Sequence, residues 1–332
     1  MRLKLIVFIL LSGLFGYSVY WFYISQNTDL FLEKAHEDLA AHGVTFKYSS
    51  YEVSGFPYRL VLVFQNPVFT YQNGPLSFEL TAHQMEAIAQ PWNFDHFIIF
   101  PEEALLRLGY AFKDQIEVTL KPATIGFSIN TLGEGNYRLS VEMKEVSITS
   151  NPDLKLPAEF TDFSFHLRKK LETRAGEADL FEPKLLELAL KGNTHTQLSF
   201  QINISFRGQD IPEITYQGLT KWRVQGGTLE VDLLQITDTN SSLEGSGSLT
   251  LDNELRPLGV ISLAGKEWED ILAFFRANNW LDEAGATLVS EYLAILPDPD
   301  GDQHLPLALI LQDGSFYLGP ARLSDIKPVI QE

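Results

Sequence analysis

The sequence predicts a mainly β protein: large twisted antiparallel sheets with a few covering helices, preceded by one N-terminal transmembrane helix. Three observations carry this. An uncharged run from Leu5 to Ile24 follows a short basic head. Apolar and polar residues then alternate with period two in one segment after another, and Gly, Asn and Asp clusters separate those segments.

The first element, residues 1–26, is read as an anchor. Twenty residues at helical rise span about 30 Å, the thickness of a bilayer's hydrocarbon core. Tyr17, Tyr20, Trp21 and Tyr23 crowd its far end, where amphipathic rings favour the interface. Arg2 and Lys4 hold the N-terminus in the cytoplasm, and the run lacks an A-x-A-like cleavage site, so the expectation is an uncleaved anchor with an exported body. Residues 27–43 are expected to form a juxtamembrane helix, with Thr28 as N-cap, acids in the first turn and Gly43 as the stop.

Residues 44–332 are expected to form one exported β-rich domain, whose two halves would meet near 173–180. The clearest strand is "LSFQINISF", where Leu198, Phe200, Ile202, Ile204 and Phe206 alternate with polar residues. Segments 137–143, 162–169, 228–233, 247–251 and 305–311 alternate in the same way. Helical spacing predicts short helices over 101–109, 181–192, 266–279 and 283–296.

Composition limits the partners. Lys and Arg total 25 against 43 Asp and Glu, a formal charge of −18. Arg2 and Lys4 are two of those cations, so the body is more acidic still. Such a body is repelled by nucleic acid and by anionic headgroups. The chain has no cysteine, which excludes disulfides, thiol catalysis, thiolate metal sites and a lipidated cysteine.

No catalytic, metal or cofactor site is nominated, and the protein is not expected to be an enzyme. G-x-S-x-G, H-E-x-x-H and phosphate-loop motifs are missing from the sequence. The "GEG" at 133–135 and the "GSG" at 245–247 read as turns or bulges. His36 and His42, six apart, point to different helix faces. Asp95 and His96, adjacent on a strand, point to opposite faces. Alternate aspartates in "PDPDGDQ" (297–303) suggest a calcium loop but lack its closing Glu, so a tight turn is the simpler reading.

The apolar strand faces allow two readings: an ordinary closed core, or a Phe-rich groove for an acyl chain such as a phospholipid's. Periodicity alone does not separate them.

Two short motifs add a resemblance. "GFPYR" (55–59) and "AQPWN" (89–93), together with 245–259 and 305–320, resemble domain-of-unknown-function family 2125, uncharacterised bacterial membrane-anchored proteins. One departure is Glu254 and Leu255, where a Gly-containing turn is expected. The family is similar in turn to AsmA-like envelope proteins. That resemblance implies a twisted β-structure with a hydrophobic concave face, and a role in outer-membrane biogenesis or lipid transport. It makes Gly55, Phe56, Pro57, Arg59, Pro91 and Trp92 the family-motif residues, whether structural or lining a groove. Gly55 and Pro57 then mark a strand start, Pro91 and Trp92 a structural corner, and Arg59 pairs with an acid or a headgroup phosphate.

The expectation is therefore a single-pass protein of a bacterial inner membrane, its bulk in the periplasm, that handles lipid through a sheet-lined groove. The competing expectation is a scaffold that binds another envelope protein along an exposed sheet edge.

Overall fold

The computed structural model describes residues 2–41, 43–73, 76–112, 114–133, 135–151, 157–169, 184–209, 214–277, 281–297 and 304–330. The expected boundary at 173–180, His42 and most of "PDPDGDQ" lie outside them. The β-rich expectation holds: among the described residues nineteen strands join in one sheet.

Two helices come first, α1 (Arg2–Gln26) and α2 (Thr28–Ala41), separated only by Asn27. Thr28 is not the N-cap expected of it. Its buried hydroxyl donates backwards to the carbonyls of Ile24 and Ser25, so it links the helices instead of opening the second. Gly43 ends α2 at φ 76°, where a side chain would be strained.

The sheet is organised by β9 (Asp114–Thr131), the longest strand. One edge of β9 pairs with β10 (Tyr137–Asn151) along its length. The other edge forks. Its first part pairs with β8 (Leu105–Phe112), which continues through β5 (Leu76–Thr81) and β4 (Val68–Asn73) to β1 (Val44–Lys47). Its last part pairs with β7 (Asn93–Glu102), which continues through β6 (Gln84–Gln90) and β3 (Leu60–Gln65) to β2 (Ser50–Ser54). The two branches face each other with α2, and Leu32, Phe46, Phe64 and Met85 fill the space between.

Beyond β10 the chain runs as a simple antiparallel meander. It passes through β11 (Glu159–Lys169), β12 (Lys184–Asn193), β13 (Ser199–Arg207), β14 (Thr228–Thr237), β15 (Ser242–Leu251) and β16 (Pro257–Lys266). It ends with β17 (Leu305–Gln312), β18 (Ser315–Leu318) and β19 (Ala321–Asp325). Helix α3 (Tyr216–Val224) joins β13 to β14; α4 (Trp268–Ala277) and α5 (Glu283–Ala294) join β16 to β17.

Two irregularities keep the apolar residues on one face. At Glu145 (φ 46°) the alternation resets, so that Val141 and Met143 before it and Val146 after it all enter the same core. Between Val231 and Leu234 the β13–β14 register shifts, and both residues again serve one face. The second is a β-bulge, which adds a residue and turns the strand without surrendering its buried side, whereas at Glu145 the pairing with β9 and β11 keeps its register. Gly245 and Gly247 of β15 lie opposite this bulge, as the sequence suggested.

The expected helices at 266–279 and 283–296 are present as α4 and α5. Asp282 caps α5 by accepting from the Gly285 N–H. Two other expectations fail. Residues 101–109 belong to β7 and β8: Pro101 is buried opposite Met85, and Arg107 pairs across the ladder with Glu79. Within 181–192, the described residues form β12, whose Leu186, Leu188 and Leu190 alternate onto one face between β11 and β13. Leucines two apart satisfy either period over so short a run, and the flanking strands decide. Helix α3, not among the expected helices, is capped by the Thr215 hydroxyl accepting from Gly218 N–H.

The β15–β16 turn explains the departure at Glu254 and Leu255. Leu255 itself takes the left-handed conformation, φ 58°, that a glycine would otherwise supply, and its side chain is 1% exposed. Asp252 holds the turn, accepting from the N–H groups of Glu254 and Arg256 and from Arg256 Nε at 2.7 Å. Burial pushes the Asp252 carboxyl up, but these bonds from Arg256 and Glu254 outweigh it and leave the carboxyl below its ordinary value near 3.8.

A carboxyl depressed on folding stabilises above its unfolded value and loses that contribution as pH falls through the folded one. Asp252→Ala should therefore lower stability at pH 7 by about 1–3 kcal/mol, and the gap should narrow below the ordinary value near 3.8, read from denaturant midpoints at both pH values. Leu255→Gly should also destabilise: relief of the left-handed backbone is worth about 1–2 kcal/mol, whereas the emptied core site costs about 2–5 kcal/mol.

Candidate functional site

The two sequence motifs, thirty-odd residues apart, meet on α1. Gly55–Arg59 is the turn between β2 and β3, and Pro91–Trp92 is the turn between β6 and β7. The Tyr17 hydroxyl donates to the Pro57 carbonyl, Tyr20 to the Pro91 carbonyl at 2.8 Å, and Trp21 Nε1 to the Arg59 carbonyl at 2.9 Å. Trp21, Ile24 and Leu60 are buried together, with Val53 packed against them. Each such side chain contributes about 1.5–3 kcal/mol by leaving water.

The turns are shaped for this. Gly55 sits at φ 100°, and a Cβ there would lie 2.8 Å from the Arg59 carbonyl oxygen and 2.9 Å from the Val61 side chain. The Arg59 N–H closes the turn onto the Gly55 carbonyl. Phe56 stacks on Phe22 and meets Trp21 edge-on, with the Phe56–Pro57 peptide cis. Pro91 is fully buried, while Trp92 rests beside Tyr17 with its indole 58% exposed. Further along, Phe31 of α2 stacks on Phe94. Tyr51 donates to Asp29 and ties α2 to β2; burial, then that bond and its charge, push the Tyr51 phenol up to about 12.

The Pro-Trp stretch is thus a corner, as expected, but one built against the apolar helix. Gly55 and Pro57 shape a turn ahead of β3 and not the strand itself. Arg59 is exposed and pairs with no acid among the described residues. His96 contacts Ser128 and Asp95 contacts Thr131, in keeping with their opposite faces. Sequence reasoning saw Tyr17, Tyr20 and Trp21 as interfacial rings but not as partners of the two turns. Bonds this remote in the chain leave no periodic signal.

The second feature is an apolar strip. The branched end of the sheet closes around Leu80, Leu120, Ile125, Met143, Val146 and Phe160. The far end closes beneath α4 and α5 around Leu263, Trp268, Leu272, Val289 and Leu318. Between them, Ile202 lies across from Leu190 and Leu234, and Ile204 across from Leu188 and Val231, on the same face as both cores. Leu188, Leu190, Ile202 and Ile204 remain half-buried. Phe200 leans toward Phe160 and Phe163, and Phe206 toward Trp222. Leu198 falls just before β13, its carbonyl closing the turn from Thr194. The sheet also curls: Val329 donates its N–H to the Leu255 carbonyl and accepts from the Tyr110 hydroxyl at 3.0 Å, tying β8 to the β15–β16 turn.

A family model described as "Uncharacterized protein conserved in bacteria (DUF2125)" matches residues 21–327, and the chain belongs to that family. No curated protein and no solved structure matches it. Helix α1 is long and apolar enough over Leu3–Gln26 to cross a membrane.

Trp21→Ala should cost about 3–5 kcal/mol, as for other buried aromatics. Gly55→Ala should cost roughly 2 kcal/mol or more through strain and overlap. Thermal midpoints of the full chain in mild detergent test both. Unchanged midpoints in both variants would mean that helix and turn do not support each other.

Proposed function

We propose that the protein is a single-pass protein of a bacterial inner membrane, its body in the periplasm, that binds the acyl chain of a phospholipid along the strip on β12 and β13. The activity is binding and transfer of lipid in support of outer-membrane assembly, without a catalytic step. The observation that carries this reading is the strip itself: apolar side chains half-exposed between two closed cores, on one face of a curled sheet. An extended acyl chain needs such a run of uncharged side chains and little else. The resemblance to AsmA-like envelope proteins points the same way, as does a body whose turns are fastened to an apolar helix of membrane-crossing length.

The retained anchor has its own support. Trp21 and Ile24 are 5% and 4% exposed because the body covers them. Cleavage ahead of them would remove Tyr17 and Tyr20, and with them two bonds to the motif turns. The scaffold reading has less to draw on. Among the described strands, β1, β2 and β19 each pair on one side only, and they run to just four, five and five residues. Edge strands this short are poor templates for strand addition.

Native mass spectrometry of the full-length chain in mild detergent tests the reading. Wild type should retain one phospholipid per chain. Ile202→Glu and Leu190→Glu should lose it while keeping the wild-type circular dichroism. A wild-type protein that carries no lipid, and takes none up when phosphatidylethanolamine is offered, would sink the proposal.

A further inference from the structure

The two motif turns do more than hold the helix. We propose that they form a foot that enters the interfacial layer of the membrane crossed by α1, and that Arg59 engages the phosphate of a zwitterionic glycerophospholipid there. The inference rests on α1 spanning a membrane, and it is independent of the apolar strip.

Depth along α1 carries the argument. At 1.5 Å per residue, Tyr17 to Trp21 lie about 18–24 Å from Leu5, in the outer half of a hydrocarbon core about 30 Å thick and toward its far boundary. The turns bond to α1 at this level, not above it: Pro57 to Tyr17, Pro91 to Tyr20 and Arg59 to Trp21. A turn fixed by its carbonyl to Tyr17 sits at the depth of Tyr17. Its neighbours are the side chains suited to that depth. Tyr58 is 74% exposed, Trp92 58% and Phe56 46%, beside Phe22 at 54% on the helix. Aromatic rings with one polar edge are favoured in this layer.

Arg59 completes the chemistry. It is exposed, adjoins Tyr58, and has no acidic partner among the described residues. A guanidinium at that depth finds its acceptor in lipid phosphate and can bind it bidentately, its stem lying along the rings. The acidic balance of the chain, −18 overall, selects against a strongly anionic surface and for a zwitterionic one. The foot also sets direction. Asp95 of β7 is bonded to Thr131 at the end of β9, so β9 ends and β10 starts at this level, and the antiparallel strands that follow reach it at one end and extend away from it.

The absence of cysteine makes the test direct, since a single introduced thiol can carry a nitroxide. Full-length Tyr58→Cys, Trp92→Cys, Leu10→Cys and Asp238→Cys would each be labelled and placed in nanodiscs of phosphatidylcholine and phosphatidylethanolamine. Collision with oxygen against a water-soluble nickel reagent reports depth. Leu10 should read as bilayer interior. Asp238, in the β14–β15 turn at the opposite end of the strands from Thr131, should read as water. Labels at 58 and 92 should give oxygen-to-nickel ratios several-fold above that at 238. Adding Arg59→Glu to the Tyr58→Cys chain should lower its ratio without unfolding the body. Ratios at 58 and 92 equal to that at 238, with Leu10 immersed, overturn the foot and leave the anchor standing. An aqueous Leu10 overturns both.

Discussion

The constraint on which the rest depends is that a single sheet of nineteen strands carries its apolar residues on one face, and that face must be covered. The fold covers it differently along its length. At one end β9 forks and the two branches close on each other around Phe46 and Phe64. At the other end α4 and α5 lie across the meander over Trp268 and Leu318. Both solutions require parity to survive the bends, which is the service of Glu145 and of the irregular register near Asp232. Were the β14 bulge absent, a one-residue slip would turn every following side chain of that strand to the wrong face.

The end of the molecule that carries α1 is governed by a second, local rule. A helix as apolar as α1 has few groups of its own with which to grip the β-rich body. The grip here is polar and backbone-directed, through two phenol hydroxyls and an indole N–H donating to carbonyls of two turns. Gly55 and Pro91 matter because they shape the chain that presents those carbonyls. Phe56 contributes by area, stacked on Phe22.

The β-rich architecture and the apolar helix were legible because both rest on short-range pattern. "LSFQINISF" reads as a strand and is one from Ser199 onward. The failures at 101–109 and 181–192 share a cause: leucine-rich runs fit two periods, and only neighbouring ladders decide between them. Leu255 shows a different limit. A buried leucine at positive φ is set by what surrounds its side chain, which local sequence does not report. The motif residues were found as words in the sequence, but their meeting on α1 depends on contacts 38 to 71 residues apart.

The tie at Val329 has a consequence for assembly. From β9 onward each strand pairs with the one made just before it, so the meander can grow in step with synthesis, as low contact order permits. The curl cannot. Its fastening between Tyr110 and Leu255 waits for Val329, made 219 residues after Tyr110. Until then the nascent sheet is an unclosed sheet with its greasy side open, and whatever occupies that side first must leave, or be enclosed, when Val329 arrives.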